Sequence, residues 1–156
     1  MIVRQAIPSD LEQCYKCILP YASESWQGKQ CPVDLDVVRS SLESVLQAEN
    51  FMRCVVEVDG KIAGLAFGYS GNTWWREPCG AFDFFYVSQN YRGLGVARKL
   101  VKGALDQFRL GGCGFIYAGA ESNVSERNTK LYENLFKKFG FRDIGGGRMI
   151  LNLRGQ

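Results

Sequence analysis

The chain contains no histidine. That removes the residue most often used as a general base near neutral pH, and the commonest nitrogen ligand of zinc. Cys14 and Cys17 form a CxxC pair among six cysteines, but no second pair follows at ligand spacing, so no metal centre is expected. The cysteines sit in apolar or strand-like surroundings with no secretory signal ahead of them, which points to reduced, structural thiols. The opening MIVRQAIPSD lacks the apolar run of a signal peptide, and no stretch is long enough to cross a bilayer. A cytoplasmic protein with no membrane partner is the expectation. Dense blocks of charge are missing as well. Nineteen basic residues against sixteen acidic ones leave a net charge of +3, too mild a balance to predict a nucleic-acid partner. It suits a polyanionic ligand wherever a few positive groups converge.

What is present is an ordinary globular composition over 156 residues, enough for one domain with a core of its own. Residues 2–7 read as a strand. Pro8-Ser9-Asp10 then opens a helix to about Leu19, with Ser9 or Asp10 as its cap. A loop is expected over 20–32, and a helix from about Asp34 to Ala48, where Leu35, Val38, Leu42, Val45 and Leu46 recur at helical spacing. Phe51 to Val58 and Lys61 to Tyr69 read as a hairpin around Asp59-Gly60. After a loop over 70–80, AFDFFYV (81–87) reads as a strand covered on both faces. A helix begins near Gly95, a strand covers Phe115 to Gly119, a helix covers 125–138, and Arg148 to Leu153 is a last strand. The order β-α-α-β-β-β-α-β-α-β predicts an α/β domain with a mixed sheet.

The most informative segment joins the buried strand ending at Val87 to the following helix through Arg92-Gly93-Leu94-Gly95-Val96-Ala97. The first N–H groups of a helix have no intrahelical partner, and the helix dipole places partial positive charge beside them. Small residues at Gly93, Gly95 and Ala97 let an anion approach the backbone, while Arg92 and Arg98 add charge. Such a site suits a pyrophosphate. Two familiar phosphate loops are excluded. No Gly-Lys-Ser/Thr is present, and Arg98 stands where the dinucleotide fingerprint needs its third glycine.

The pattern Arg92-x-x-Gly95-x-Ala97 resembles the coenzyme A loop of the GNAT acetyltransferases, whose motif is Arg/Gln-x-x-Gly-x-Gly/Ala. The likeness extends over most of the chain. IVRQAIPSDLEQC resembles the family's first strand and helix, VVEVDGKIAGLAFGY its second and third strands, and LFKKFGF its final helix with a Gly-Phe signature. The resemblance implies the GNAT fold: a mostly antiparallel sheet of six to seven strands, split at strands 4 and 5 and flanked by about four helices. It also implies acetyl-CoA as cosubstrate. The pyrophosphate would rest on the N–H groups of Gly93, Leu94, Gly95, Val96 and Ala97, and the pantetheine arm along the backbone of Phe85, Tyr86 and Val87.

The family's tyrosine, which protonates the departing thiolate, falls here on Phe136, four residues before Gly140. Tyr132 lies one helical turn earlier and serves either as that acid or as an ordinary packing tyrosine. Asn128 fits the spacing of the family's asparagine better than Asn123, or else caps a helix. With histidine absent, a base must be a carboxylate. Asp83, the lone charge in AFDFFYV, is either a base enclosed by aromatic rings or a solvated residue at the strand's start. By alternation it would share a face with Phe85 and Val87. Glu121 is the second candidate.

In the family the acceptor is framed by the loop between the first two helices and the loop before the fourth strand. These hold Tyr21, Glu24 and Trp26, then Trp74, Trp75 and Arg76. Aromatic rings around an acid suit a cationic amine, though the tryptophans can equally pack under the loops or at a dimer contact. The resemblance therefore implies transfer of an acetyl group to a small-molecule amine. A protein acetyltransferase for lysine or N-terminal amines is one alternative, and a coenzyme A-binding module without efficient chemistry is another. A homodimer is an expectation carried over from the family.

Overall fold

A computed structural model of the chain describes residues 1–72, 78–119 and 125–154, with only the backbone given at Trp26 and Gln27. Seven strands form one sheet: β1 (Ile2–Gln5), β2 (Phe51–Val58), β3 (Lys61–Asn72), β4 (Pro78–Val87), β5 (Phe115–Gly119), β6 (Arg142–Gly145) and β7 (Arg148–Asn152). Their spatial order is β1-β2-β3-β4-β5-β7-β6, and only the β4–β5 pair is parallel. The helices among the described residues are α1 (Leu11–Glu24), α2 (Trp26–Gln30), α3 (Leu35–Gln47), α4 (Val96–Leu110) and α5 (Glu126–Lys138). This is the expected α/β fold with a mixed, mostly antiparallel sheet and one helix more. No helix among the described residues is long and apolar enough to span a membrane.

Strand alternation divides the interior into two layers. On β2, Met52, Cys54 and Val56 join a core with Leu100, Val101, Ala104 and Phe108 of α4 and Phe136 of α5. Val55, between them, faces the other way and packs with Cys14 and Cys17 of α1 and Leu42 and Leu46 of α3. Side chains as deeply buried as Leu100 and Phe108 each contribute roughly 2 kcal/mol over their exposed state. All six cysteines are free thiols, and burial pushes those of Cys14 and Cys54 up to about 12, so both pack as neutral groups.

Three local expectations need correction. Residues 20–32 are largely helical, because α1 runs through Pro20 to Glu24. Pro20 and Lys16 both lie on the exposed face, so the carbonyl that loses its partner is left to water. Neither Ser9 nor Asp10 caps α1 with its side chain. The Asp10 carboxylate instead accepts the Ile7 N–H at 2.9 Å and pairs with Arg4. Strand β4 starts earlier than expected, at Pro78, while β6 at the far edge makes up the seventh of the six to seven strands expected.

The feature that positions the site is in β4. Phe84 lies opposite Phe67 and Phe82 opposite Gly68, which leaves Asp83 as an extra, unpaired residue. This β-bulge breaks the alternation. Phe82, Phe85 and Val87 pack on the α4–α5 side, while Phe84 and Tyr86 pack on the α1–α3 side. Asp83 is exposed, so its carboxylate is solvated and not enclosed by its aromatic neighbours. Pairing between β4 and β5 covers only Cys79, Gly80 and Ala81 against Phe115, Ile116 and Tyr117. Beyond Ala81 the two strands diverge, and residues 82–87 keep a strand partner on the β3 side alone. The sheet is split where the sequence led us to expect it.

Candidate active site

After β4 a short turn, Gln89–Tyr91, leads into the glycine loop. Gly93 and Gly95 have φ of +84° and +83°, a left-handed conformation that costs other residues about 1–2 kcal/mol. A Cβ at either position would meet no atom within 4 Å, so the demand is conformational and the space above both is open. Gly95 caps α4 without a side-chain bond, and the Lys99 N–H donates to its carbonyl at 3.2 Å. The N–H groups of Val96, Ala97 and Arg98, which come before that bond, have no intrahelical acceptor. Val96 buries its side chain and offers only backbone, while Leu94 points outward and is exposed. A cradle of left-handed glycines and unpaired N–H groups at a helix N-terminus fits a diphosphate.

The loop forms one end of a cleft of about 540 Å³. Its opposite wall is α5, which contributes Asn128, Leu131, Tyr132, Leu135 and Lys138. Val87 and Arg98 complete it from the β4–α4 side. Ser125, not Asn128, caps α5: its Oγ accepts the Asn128 N–H at 3.2 Å. The capping role considered for Asn128 therefore belongs to its neighbour, and Asn128 lines the cleft.

Tyr132 sets its ring edge-on to Phe85, with centroids 5.4 Å apart. Burial pushes its hydroxyl above the ordinary tyrosine range, against the lowering influence of Arg92, so it stays protonated. Phe136 also touches Phe85, at 6.1 Å between centroids, so the two side chains do share a helix face. Phe136, however, is 2% exposed and packs between Phe82 and Phe141; it is a core residue and not a wall of the cleft.

At the other side of β4, Glu24 ends α1 and takes two partners. One carboxylate oxygen accepts the Tyr86 hydroxyl at 2.9 Å, and the other pairs with Nη2 of Arg92. Arg92 also donates through Nε to the Val87 carbonyl at 3.0 Å and stacks over the Tyr86 ring. Its guanidinium, expected to add charge beside the anion site, is thus tied to Glu24 and to β4 while still lining the cleft. Tyr86 is buried, and burial together with the Glu24 hydrogen bond raises its hydroxyl far out of the titrating range. Glu24, Arg92 and Tyr21 all act electrostatically on Tyr132. These four side chains converge at the open end of β4. Trp74, Trp75, Arg76, Glu121 and Asn123 lie outside the described residues, and Trp26 opens α2.

The sequence model of the acetyltransferase (GNAT) family matches residues 11–141, most of the chain. The chain belongs to the GNAT acetyltransferase family. None of the curated protein sequences matches it. Among solved structures, a ribosomal-protein-alanine N-acetyltransferase from Brucella melitensis is 20% identical, covers 98% of this chain and 100% of its own, and superposes with a TM-score of 0.76. An N-acetyltransferase from Staphylococcus aureus Mu50 is 20% identical over 97% of this chain and 98% of its own, with a TM-score of 0.73. An aminoglycoside acetyltransferase from an uncultured soil metagenomic sample, solved with sisomicin, is 15% identical over 86% of each chain, with a TM-score of 0.67. At these identities the neighbours speak for the GNAT fold.

Two site features escaped the sequence reading of this acetyltransferase. Leu131, Leu135 and Lys138 continue from Asn128 at a three-to-four-residue period on a helix, and with it they line the cleft's α5 wall. The Glu24–Arg92 tie spans 68 positions and had no local signal.

Proposed function

We propose that the protein transfers the acetyl group of acetyl-CoA to a primary amine of a small molecule, by direct attack within a ternary complex. The observation that carries this reading is the cleft itself. It joins unpaired N–H groups at the α4 N-terminus to a half-buried, protonated tyrosine, along a strand whose cleft-side edge has no strand partner. The N–H groups of Gly93, Gly95, Val96 and Ala97, with Arg98 beside them, hold the diphosphate, while that of Leu94 is donated to the Tyr91 carbonyl at 3.4 Å. The backbone edge at Phe85, Tyr86 and Val87 that has no strand partner pairs with the amides of the pantetheine arm, as an added strand would, apart from the Val87 carbonyl that Arg92 holds. Asn128 fixes the arm from α5. Bound there, acetyl-CoA supplies an activated thioester carbonyl and a thiol leaving group.

Glu24 receives the acceptor's ammonium, with Trp26, Trp74 and Trp75 from the neighbouring segments around it. The ammonium gives up one proton through water, with Asp83 and Glu121 as the carboxylates available to take it; its nitrogen then bonds to the thioester carbon and sheds a second proton to water. As the carbon–sulfur bond breaks, Tyr132 donates its hydroxyl proton to the sulfur and regains one from solvent. Location in the cytoplasm and a homodimer remain part of this proposal.

A thiol-release assay with acetyl-CoA and a panel of small amines and short peptides tests the reading. Turnover with a small amine, reduced about a hundredfold in Tyr132→Phe, is expected for a general acid. Because burial raises the Tyr132 hydroxyl, wild-type kcat should hold through and beyond about pH 10, where an ordinary tyrosine ionises. Turnover restricted to peptides would favour the protein acetyltransferase alternative. Coenzyme binding with no turnover on any acceptor would leave only a binding module.

A further inference from the structure

Two arginines flank the glycine loop, and their side chains are used differently. Arg98, in the first turn of α4, is exposed, lines the cleft and makes no ion pair or hydrogen bond among the described residues. Arg92, which opens the loop, is committed elsewhere. Its Nε donates to the Val87 carbonyl at 3.0 Å, its Nη2 pairs with Glu24, and its Cζ lies 5.5 Å from the centre of the Tyr86 ring. All three partners belong to β4 and α1, and none to the loop. A guanidinium forked between a carbonyl and a carboxylate has its orientation fixed.

That placement brings the charge towards Tyr132. The Tyr132 ring rests edge-on against Phe85, with centroids 5.4 Å apart. Arg92 holds the carbonyl of Val87, two residues further along β4, and Phe85 and Val87 lie on the same side of the sheet. Two residues of strand span about 7 Å. Arg92 and Tyr132 both line the cleft. Burial disfavours the ionised phenol most; Arg92 favours it, and Tyr21 and Glu24 of α1 oppose it. Arg98 and Lys138 are the other charged residues of the cleft, while Phe85 against the ring and Asn128 on the same helix carry no charge.

From this we infer that Arg92 is a positioning residue for Tyr132 and not an anchor of the coenzyme, the anchor's part falling to Arg98. The inference rests on the acetyl-transfer reading above. As the carbon–sulfur bond of the thioester breaks, the sulfur takes the Tyr132 proton and the negative charge passes to the phenolate. Arg92 keeps its own proton and offsets that charge until solvent reprotonates the tyrosine. Glu24, Tyr86 and Val87 hold the guanidinium there instead of at the diphosphate. Losing the positive charge therefore makes Tyr132 a weaker acid, and losing the Glu24 charge makes it a stronger one.

The test uses Arg92→Gln, Arg92→Lys, Glu24→Gln and Arg98→Gln, with melting curves to check that each folds. In calorimetric titration with acetyl-CoA, Arg98→Gln should weaken binding about tenfold and Arg92→Gln by less than about twofold. Tyr132 ionisation is read as tyrosinate absorbance after a stopped-flow jump to about pH 11, less that of the matching protein with Tyr132→Phe. The signal should fall in Arg92→Gln, return in Arg92→Lys and rise in Glu24→Gln. With a small amine as acceptor, kcat should drop about tenfold in Arg92→Gln and recover in part in Arg92→Lys. A merely structural ion pair would give the same sign from either side. Affinity for acetyl-CoA lost as fully in Arg92→Gln as in Arg98→Gln would overturn the inference. So would a Tyr132 signal that stays put in Glu24→Gln, which decides the matter even where Arg92→Gln does not fold. Binding and absorbance need no acceptor, so a lack of turnover on every amine would sink the transfer reading and leave the placement of Arg92 standing.

Discussion

Two arginine–carboxylate clusters in this protein use the same residue types to opposite ends. At the N-terminal edge, Arg4 grips Asp10 with both terminal nitrogens, at 2.6 and 2.9 Å, and reaches Glu57 at 3.1 Å. Asp10 also accepts the Ile7 N–H, so this cluster ties β1 to β2 and fixes the approach to α1. At the split in the sheet, Arg92 and Glu24 form the second pair, with the Tyr86 hydroxyl and the Val87 carbonyl as further partners. The side chain of Asp10 is 8% exposed and that of Glu24 is 20% exposed, and Arg92 lines the cleft. The first cluster is closed and structural. The second is open to the cleft through Arg92.

Mutation should separate them. Breaking a mostly buried pair leaves an unpaired charge, so Asp10→Asn should cost about 2 kcal/mol in urea unfolding, with kcat and KM unchanged. Arg4 holds the Asp10 carboxyl below the ordinary carboxylate range. The stability from this pair is therefore complete above about pH 4 and lost as the pH falls through the lowered folded value. In Asp10→Asn that part of the acid sensitivity should disappear.

A smaller effect is expected at the second cluster. Glu24→Gln keeps an acceptor for Tyr86 but removes the charge. It should raise KM for the amine about tenfold, equivalent to about 1.4 kcal/mol, and change stability by under about 0.5 kcal/mol. Binding of acetyl-CoA should not weaken. Loss of stability comparable to Asp10→Asn, with KM unaltered, would erase the contrast and make the second cluster structural too.

The glycine loop and the helix it opens were legible in the sequence because their determinants are local. Gly93, Gly95 and the helix after them lie within a few residues, and backbone N–H groups need no particular side chain beyond the glycines that free them. The order of elements along the chain followed from periodicity and turn signals, and the split at β4 and β5 from the resemblance of whole segments. The catalytic register was harder. Phe136 and Tyr132 share a face of α5, and only packing against Phe82 and Phe141 decides that one is core and the other lines the cleft. Of the two readings of Asp83 the solvated one holds; alternation could not decide it, because the bulge opposite Phe67 and Gly68 arises from pairing between strands. Pro20 was read as a stop, but a helix tolerates it on a solvent-facing side. The Glu24–Arg92 contact depends on how α1 and the glycine loop meet across β4, which no local pattern encodes.

The most direct test of the account is calorimetric titration of acetyl-CoA into the wild type and into Gly95→Trp, with melting curves for both. Gly95 is left-handed with open space where a side chain would begin, so an indole there stands in the proposed diphosphate site. The account predicts saturable, one-to-one binding by the wild type that is lost in a folded Gly95→Trp. A wild type that takes up no acetyl-CoA, or a folded variant that binds it as tightly, would contradict it.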